Sequence, residues 1–373
     1  MTSKEVMLRD IAWIDARIVD PTLPHNRNLP HVSGENIASI TGELLEVKSA
    51  ADDGMTSGKY QFDAGDLLYS KLRPYLRKVA IPDFSGLCSA DIYPVKVDES
   101  RILPEFLRLV LVGSDFTDYA IEESARTRMP KLNREQLFGY RLSLPELAAQ
   151  RSVVAAVSLA ATEVETARSA TINQIREVSA LTNSIIFDSV QNAASTPSLG
   201  DVLEEVKRGI GTDWASHPVL GATRDGLAPA KEPPGKQAPK YKPATPGTVF
   251  YNPMRILIGS IAYVDEDDDP GITSPDYVVL RGKPGIVDSR WFYYWLRSPL
   301  GAHCILSLAR GAVRERMLFN RLAEGEIALP SYAEQQRASA ALKELKPLKR
   351  ALESRLSEIN RLPQKILAAA FEM

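Results

Sequence analysis

Gly65-Asp66-Leu67-Leu68-Tyr69, with Arg73 four positions on, returns in the second half of the chain as Gly247-Thr248-Val249-Phe250-Tyr251 with Arg255. Six further pairs stand in the same order. Leu8-Arg9-Asp10-Ile11 answers to Leu199-Gly200-Asp201-Val202, Ser89-Ala90-Asp91 to Ser274-Pro275-Asp276, and Phe106 to Phe292. Ala125-Arg126 answers to Ala309-Arg310, Leu144-Pro145 to Leu329-Pro330, and Gln150-Arg151 to Gln336-Arg337. The separations lie between 182 and 191 residues. Seven matches in one order, drifting as loop insertions would make them drift, mark an internal duplication. A period of about 185 residues is too long for a solenoid, so each copy is a domain with its connector.

The expected fold class is α+β: two similar mixed α/β domains separated by two long, coiled-coil-like helical regions packed antiparallel. The boundaries fall at 1–145, 146–195, 196–330 and 331–373. Asp66–Tyr69, Ile92–Val97, Thr248–Tyr251 and Tyr277–Leu280 are apolar runs bounded by Gly, Pro and Asp, and read as strands. Phe106–Val112 and Trp291–Leu296 read as buried helices. Asp225–Pro246, rich in Pro, Gly, Ala and Lys, reads as an exposed loop.

The second tail carries a seam. Leu342, Leu345, Leu348, Leu352, Leu356, Ile359, Leu362 and Ile366 step by three and four, as one face of a helix pair does. Leu342, Leu345, Leu352, Leu356 and Ile359 are the expected helix-packing residues. The first tail repeats the pattern more softly through Val157, Ala160, Val164, Ala167, Ile175, Val178, Leu181 and Ile185. Each tail, if fully helical, spans roughly 60 Å, and an apolar stripe of that length needs a partner. Pro347 and Pro363 interrupt the second tail, which is either one bent rod or two or three shorter helices.

Composition narrows the function. The 373 residues are 44% hydrophobic and 25% charged, which is globular and fits two domains. A net charge of −2 excludes a uniformly basic nucleic-acid coat, so any such face must be local. Cys88 and Cys304 make no disulfide framework and fit a reducing cytoplasm. No signal peptide or membrane span is legible, so a soluble, cytoplasmic chain without a membrane partner is expected. GxxxxGK[ST], GxGxxG and GxSxG are absent, and the four histidines are scattered. Asn252-Pro253-Met254-Arg255 lacks the second proline and the aromatic of an amino-methyltransferase loop. The expectation is no catalytic residue, no metal and no cofactor on this chain.

Basic residues recur at matching points of the two copies. Lys71, Arg73 and Arg77, then Arg126, Arg128 and Lys131, stand in the first. Lys207, Arg208, Lys240, Lys242 and Arg255, then Arg310, Arg314 and Arg316, stand in the second. Such charges suit DNA phosphates and, for arginine, guanine edges. Two divergent copies suit a two-part, non-palindromic site on double-stranded DNA. Asp265-Glu266-Asp267-Asp268-Asp269 lacks the alternation of a Ca²⁺ loop and is expected as a solvated turn pointing away from nucleic acid.

The junctions carry a resemblance. Leu329-Pro330-Ser331-Tyr332-Ala333-Glu334-Gln335-Gln336-Arg337, then a helix ending Leu362-Pro363-Gln364-Lys365-Ile366-Leu367-Ala368-Ala369-Ala370-Phe371, resembles the conserved region of specificity subunits of type I restriction–modification systems. Gly65 to Tyr75 resembles a segment of their target recognition domains. The first junction, Pro145-Glu146-Leu147-Ala148-Ala149-Gln150-Arg151, reads as one residue shorter and without the glutamate. The resemblance implies a non-catalytic subunit that binds a bipartite, asymmetric DNA site, one half-site per domain, with a spacer set by the helices. It further implies two methyltransferase subunits using S-adenosylmethionine on adenine N6, and restriction/translocase subunits using ATP and Mg. The competing readings are the recognition subunit of a related bifunctional restriction enzyme, a coiled-coil scaffold without DNA specificity, and a catalytic methyltransferase or nuclease.

Overall fold

The computed structural model describes residues 4–125, 130–309 and 316–372. Two compact units form, Met1–Ala170 with Leu356–Met373, and Thr171–Arg355.

The first unit is built on strands β1 (Ala12–Ile14), β2 (Leu67–Ser70), β3 (Val79–Ala80) and β4 (Ile92–Val97), in the order β1-β4-β2-β3. All neighbours are antiparallel. β2 reads as an unbroken apolar run because both its faces are covered. Leu67 and Tyr69 join a core with Leu107 and Phe116. Leu68, pointing the other way as strand period demands, joins Val32, Phe62 and Cys88. Helices α1 (Pro104–Val112) and α2 (Ser114–Ser124) supply the first of these cores. A five-stranded sheet of short strands, Ile18–Val19, Lys59–Phe62, Gly86–Cys88, Pro30–Val32 and Lys48–Ser49, supplies the second. The sequence pattern did not announce this sheet. Helix α3 (Leu147–Val190) follows, its Val153, Val154 and Val157 packed on the same core.

In the second unit β5 (Leu203–Glu205), β6 (Val249–Tyr251), β7 (Ile261–Tyr263) and β8 (Val278–Gly282) take the order β5-β8-β6-β7. The duplication is kept to the register. Tyr69 lies opposite Tyr93 and Val79, and Tyr251 opposite Val278 and Ile261. Val95 lies opposite Ile14, and Leu280 opposite Glu205. Gly65 and Gly247, quoted above for their recurrence, both carry the turn into the strand at positive φ, +88° and +85°. Helices α4 (Ser289–Arg297) and α5 (Pro299–Leu308) are the counterparts of α1 and α2. Asp225–Pro246 is not one loop: Gly226–Pro229 pairs with Leu220–Thr223, and Lys242–Ala244 with Gly271–Thr273. Proline and glycine in these strands are tolerated because the ribbons are two-stranded edges.

Two helices close the chain, α6 (Tyr332–Ile359) and α7 (Leu362–Glu372). α6 runs on through Pro347, and the break comes at Asn360–Arg361. Pro363 therefore sits in the first turn of α7, where no N–H is needed. In the second unit α3 and α6 run antiparallel. Ile186 shares a core with Ala338 and Leu342, while Val178 and Thr182 line a cavity with Leu345, Lys346 and Lys349. Leu342, Leu352 and Ile359 are buried and Leu345 and Leu356 half-buried. Leu348 and Leu362 leave the seam, at 48% and 36% exposure, because a 3.6-residue period carries the buried stripe to Lys349 and Leu352 instead. Leu181 is likewise exposed, with Thr182 turned inward. In the first unit Leu367 of α7 enters the core, and Phe371 meets Phe106 edge-on at 6.0 Å.

A fully buried glutamine ties each long helix to its sheet. Gln150 Oε1 accepts from the Leu103 N–H at 2.8 Å, and its Nε2 donates to the Arg101 and Pro145 carbonyls at 2.8 and 2.9 Å. Gln335 does the same with Asp288 N–H, Ile286 O and Pro330 O, at 2.9, 3.0 and 2.9 Å. Gln150 thus corresponds to Gln335 and not to Gln336. No residue is missing from the first junction, and Ala149 stands where the second copy has Glu334. Gln335→Ala leaves one N–H and two carbonyls buried without partners and should cost about 3 kcal/mol. Gln335→Glu, which cannot donate, should be no better. Urea unfolding of the purified chain measures both, and a change under 1 kcal/mol in either variant would refute the assignment.

Candidate nucleic-acid interface

The hairpins β2–β3 and β6–β7 are joined by loops with the same closing bond and the same turn bonds. Ser70 N–H donates to Lys78 O at 3.1 Å, and Asn252 N–H to Ser260 O at 3.2 Å. Inside each loop is one 3₁₀ turn, Pro74–Leu76 and Ile256–Ile258. Leu76 N–H reaches Arg73 O and Arg77 N–H reaches Pro74 O, both at 2.9 Å. Ile258 N–H reaches Arg255 O at 3.2 Å and Gly259 N–H reaches Ile256 O at 2.9 Å.

The chain beyond the helices returns to these loops. Leu132 N–H donates to Lys71 O at 3.0 Å and Arg73 N–H to Pro130 O at 2.9 Å. Met317 N–H donates to Pro253 O at 3.1 Å. The cation beside each return finds the aspartate of the repeated Ser-x-Asp: Lys131 lies 3.8 Å from Asp91, and Arg316 lies 3.2 Å from Asp276. The sequence displayed both aspartates as a repeat without revealing this partnership.

The expected DNA-binding residues divide accordingly. Arg73, Arg77 and Lys131 gather on the first loop, and Arg255 and Arg316 on the second. Arg73 and Arg255 are exposed and Arg77 half-buried. Neither Arg73 nor Arg77 has a side-chain partner among the described residues. Lys71 is turned inward, its ammonium held by Ala90 O, 3.6 Å from Asp91 and 4.9 Å over the Tyr93 ring. Burial, aided by the Lys131 charge, pushes its pKa down. A second basic strip forms in the second unit. Ile210 N–H donates to Tyr241 O at 2.7 Å, which lays exposed Lys207 and Arg208 beside exposed Lys240. Gly209 permits this approach, since a Cβ there would meet Pro239 O at 2.6 Å. Lys242 points inward to Tyr277 O at 2.7 Å, with burial lowering its pKa. Arg126, Arg128, Arg310 and Arg314 lie outside the described residues.

The acidic run is not a solvated turn. Asp265 is buried and receives Arg290 at 2.6 Å and Lys346 at 3.0 Å. Asp268 receives Lys346 at 3.0 Å and Arg350 at 3.4 Å, and Glu266 receives Lys343 at 2.7 Å. The run is a clasp that fastens the β7 hairpin to α6; Glu266 is exposed though paired, and Asp267 and Asp269 are exposed without an ion pair among the described residues. Burial works to raise the Asp265 pKa, but the Arg290 and Lys346 bonds outweigh it and hold it at about 2. A depressed carboxylate stabilises the fold fully above its unfolded pKa, near 4, and that contribution fades as pH falls towards 2. Asp265→Asn strands buried Arg290 and should cost about 3 kcal/mol at pH 6. The gap from wild type should close between about pH 4 and pH 2. Thermal unfolding at a series of pH values tests this, and a pH-independent gap would contradict it.

No family model matches the chain. It is 36% identical over 159 residues to the specificity subunit of the type I restriction enzyme EcoDI of Escherichia coli, covering 43% of this chain and 35% of that protein. With the HindI specificity subunit of Haemophilus influenzae it shares 25% over 209 residues, 52% of this chain and 46% of that one. The matches span less than half the length of these curated relatives. In fold it is similar to a chain of a type I R-M system solved for its complex assembly and conformational transition, with a TM-score of 0.71, 20% identity, and 99% and 97% of the two chains covered. The HsdS subunit of Thermoanaerobacter tengcongensis superposes with a TM-score of 0.56 at 20% identity, over 99% and 96%. The resemblance carried by the junction motifs agrees with these findings: over part of its length the chain is similar to type I restriction specificity subunits, and its mixed helix-and-sheet fold is similar to that of the solved chains. Among the described residues no helix is long and apolar enough to cross a membrane.

Proposed function

We propose that the chain is the DNA-reading, non-catalytic subunit of a cytoplasmic type I restriction–modification complex, with target recognition at 1–145 and 196–330 and helical regions at 146–195 and 331–373. The observation that carries this is the duplicated hairpin loop, with Arg73 and Arg77 on one copy free of side-chain partners among the described residues and exposed Arg255 on the other. One hairpin turn repeated with different side chains suits two related but unlike half-sites. Arg73, Arg77, Lys131, Lys207, Arg208, Lys240, Arg255 and Arg316 bind the duplex, and Lys71 and Lys242 brace the loops from beneath. Arg126, Arg128, Arg310 and Arg314 add further DNA contacts. The helical regions set the gap between half-sites and dock two methyltransferase subunits, which bring S-adenosylmethionine, and restriction/translocase subunits bring ATP and Mg.

Deleting the gene should abolish N6-methyladenine at one two-part motif with a fixed gap in the host genome, read by single-molecule sequencing. Unchanged methylation while the partner methyltransferase is active would sink the proposal. In the purified complex, raising salt from 50 to 200 mM should weaken DNA binding steeply, because neutralised phosphates release counterions. A scaffold would show no such dependence.

A further inference from the structure

The two hairpin loops share a closing bond and a 3₁₀ turn and almost nothing else. From Lys71 to Lys78 and from Pro253 to Ser260 only Arg73 and Arg255 are the same residue, and these differ in backbone: Arg73 is left-handed at φ +51° with its N–H on Pro130 O, whereas Arg255 lies at φ −130° with its N–H on Asn252 O. The first residue of each 3₁₀ turn, Pro74 or Ile256, is buried and anchors it. The second, Tyr75 or Leu257, stands out at 51% and 52% exposure. The first copy thus holds one large apolar side chain in water at the tip of a basic loop, and the second holds Leu257, flanked by exposed Met254 and Ile258, beside Arg255. The residue closing the turn is left-handed in both copies, Gly259 at φ +85° and Arg77 at φ +50°. Glycine adopts that backbone freely, whereas arginine is strained there. An arginine kept at a position made for glycine, with no side-chain partner among the described residues, is explained by what its side chain does outside the molecule. The nearby acids, Asp91 and Asp276, already face Lys131 and Arg316. The surface around each tip therefore suits a polyanion better than an acidic or neutral protein.

We propose that these loops are reading heads: Tyr75 and Leu257 press into the duplex against base pairs and make the two half-sites differ, while Arg73 and Arg255 each hold the phosphate backbone. Arg77 adds a base or phosphate contact that the second copy lacks. Apolar contact with a thymine methyl or an opened base step suits such tips, and phosphate contacts fix register without carrying sequence. The inference rests on the DNA-reading function proposed above.

The test uses the chain assembled with its methyltransferase subunits and a duplex carrying the motif found by methylation mapping. Tyr75→Ala should weaken binding to that duplex about 10- to 100-fold, leave binding to an unrelated duplex unchanged, and relax one half of the methylated motif only. Leu257→Ala should do the same to the other half. Arg73→Ala should weaken both duplexes alike and lower the salt slope by about 1. Should Tyr75→Ala not fold, Tyr75→Leu, which copies the second tip, should still alter the same half of the motif. Unchanged motif and affinity in the tip variants overturn the inference alone, as does loss of methyltransferase binding in place of DNA selectivity. A wild-type complex that prefers no duplex overturns the functional proposal with it.

Discussion

A side-chain amide with three backbone partners holds each half of this molecule to its helix. Gln150 and Gln335 are buried completely, and each bridges the loop before a helix pair to the proline just ahead of a long helix. Only an amide offers one acceptor and two donors at that spacing. The direction in which each long helix departs is thereby fixed by the sheet beside it. The repeated register of the two four-stranded sheets then gives the hairpin loops a common place on that frame.

On this common frame the copies fasten their helices by different physics. The second uses charge: Asp265, Asp268 and Glu266 against Arg290, Lys343, Lys346 and Arg350. The first has exposed Asp83 in place of Asp265 and, since the helix starts align Phe106 with Trp291 and not with Phe292, exposed Glu105 in place of Arg290, so the same pairing is impossible. It relies on apolar contact, through Leu367 and the Phe106–Phe371 ring pair. Acid should loosen the second attachment before the first, since only the charged one loses carboxylates as protons bind.

The strands that matter were legible because both their faces are buried, which leaves an apolar run with Gly or Pro at its ends. The long helices were legible from their period. What stayed hidden depends on partners distant in sequence. Nothing in five consecutive acids says that lysines about eighty positions on will neutralise three of them. Identity alone aligned Gln150-Arg151 with Gln336-Arg337, whereas burial aligns Gln150 with Gln335. The paired ribbons within Asp225–Pro246 were masked by proline and glycine that an edge ribbon accepts. The basic clusters were visible, but not that Lys71 and Lys242 turn inward, because a lysine's direction is set by the cavity around its stem.

The fixed backbone of the hairpin loops has a consequence for how such a molecule changes over time. The groups that build the turn are main-chain amides and one buried anchor, and the exposed positions contribute little to holding it. Substitutions at the tips can therefore accumulate without endangering folding. Novelty in what is recognised and persistence of the scaffold become separable traits, and lineages can explore the first while selection guards the second.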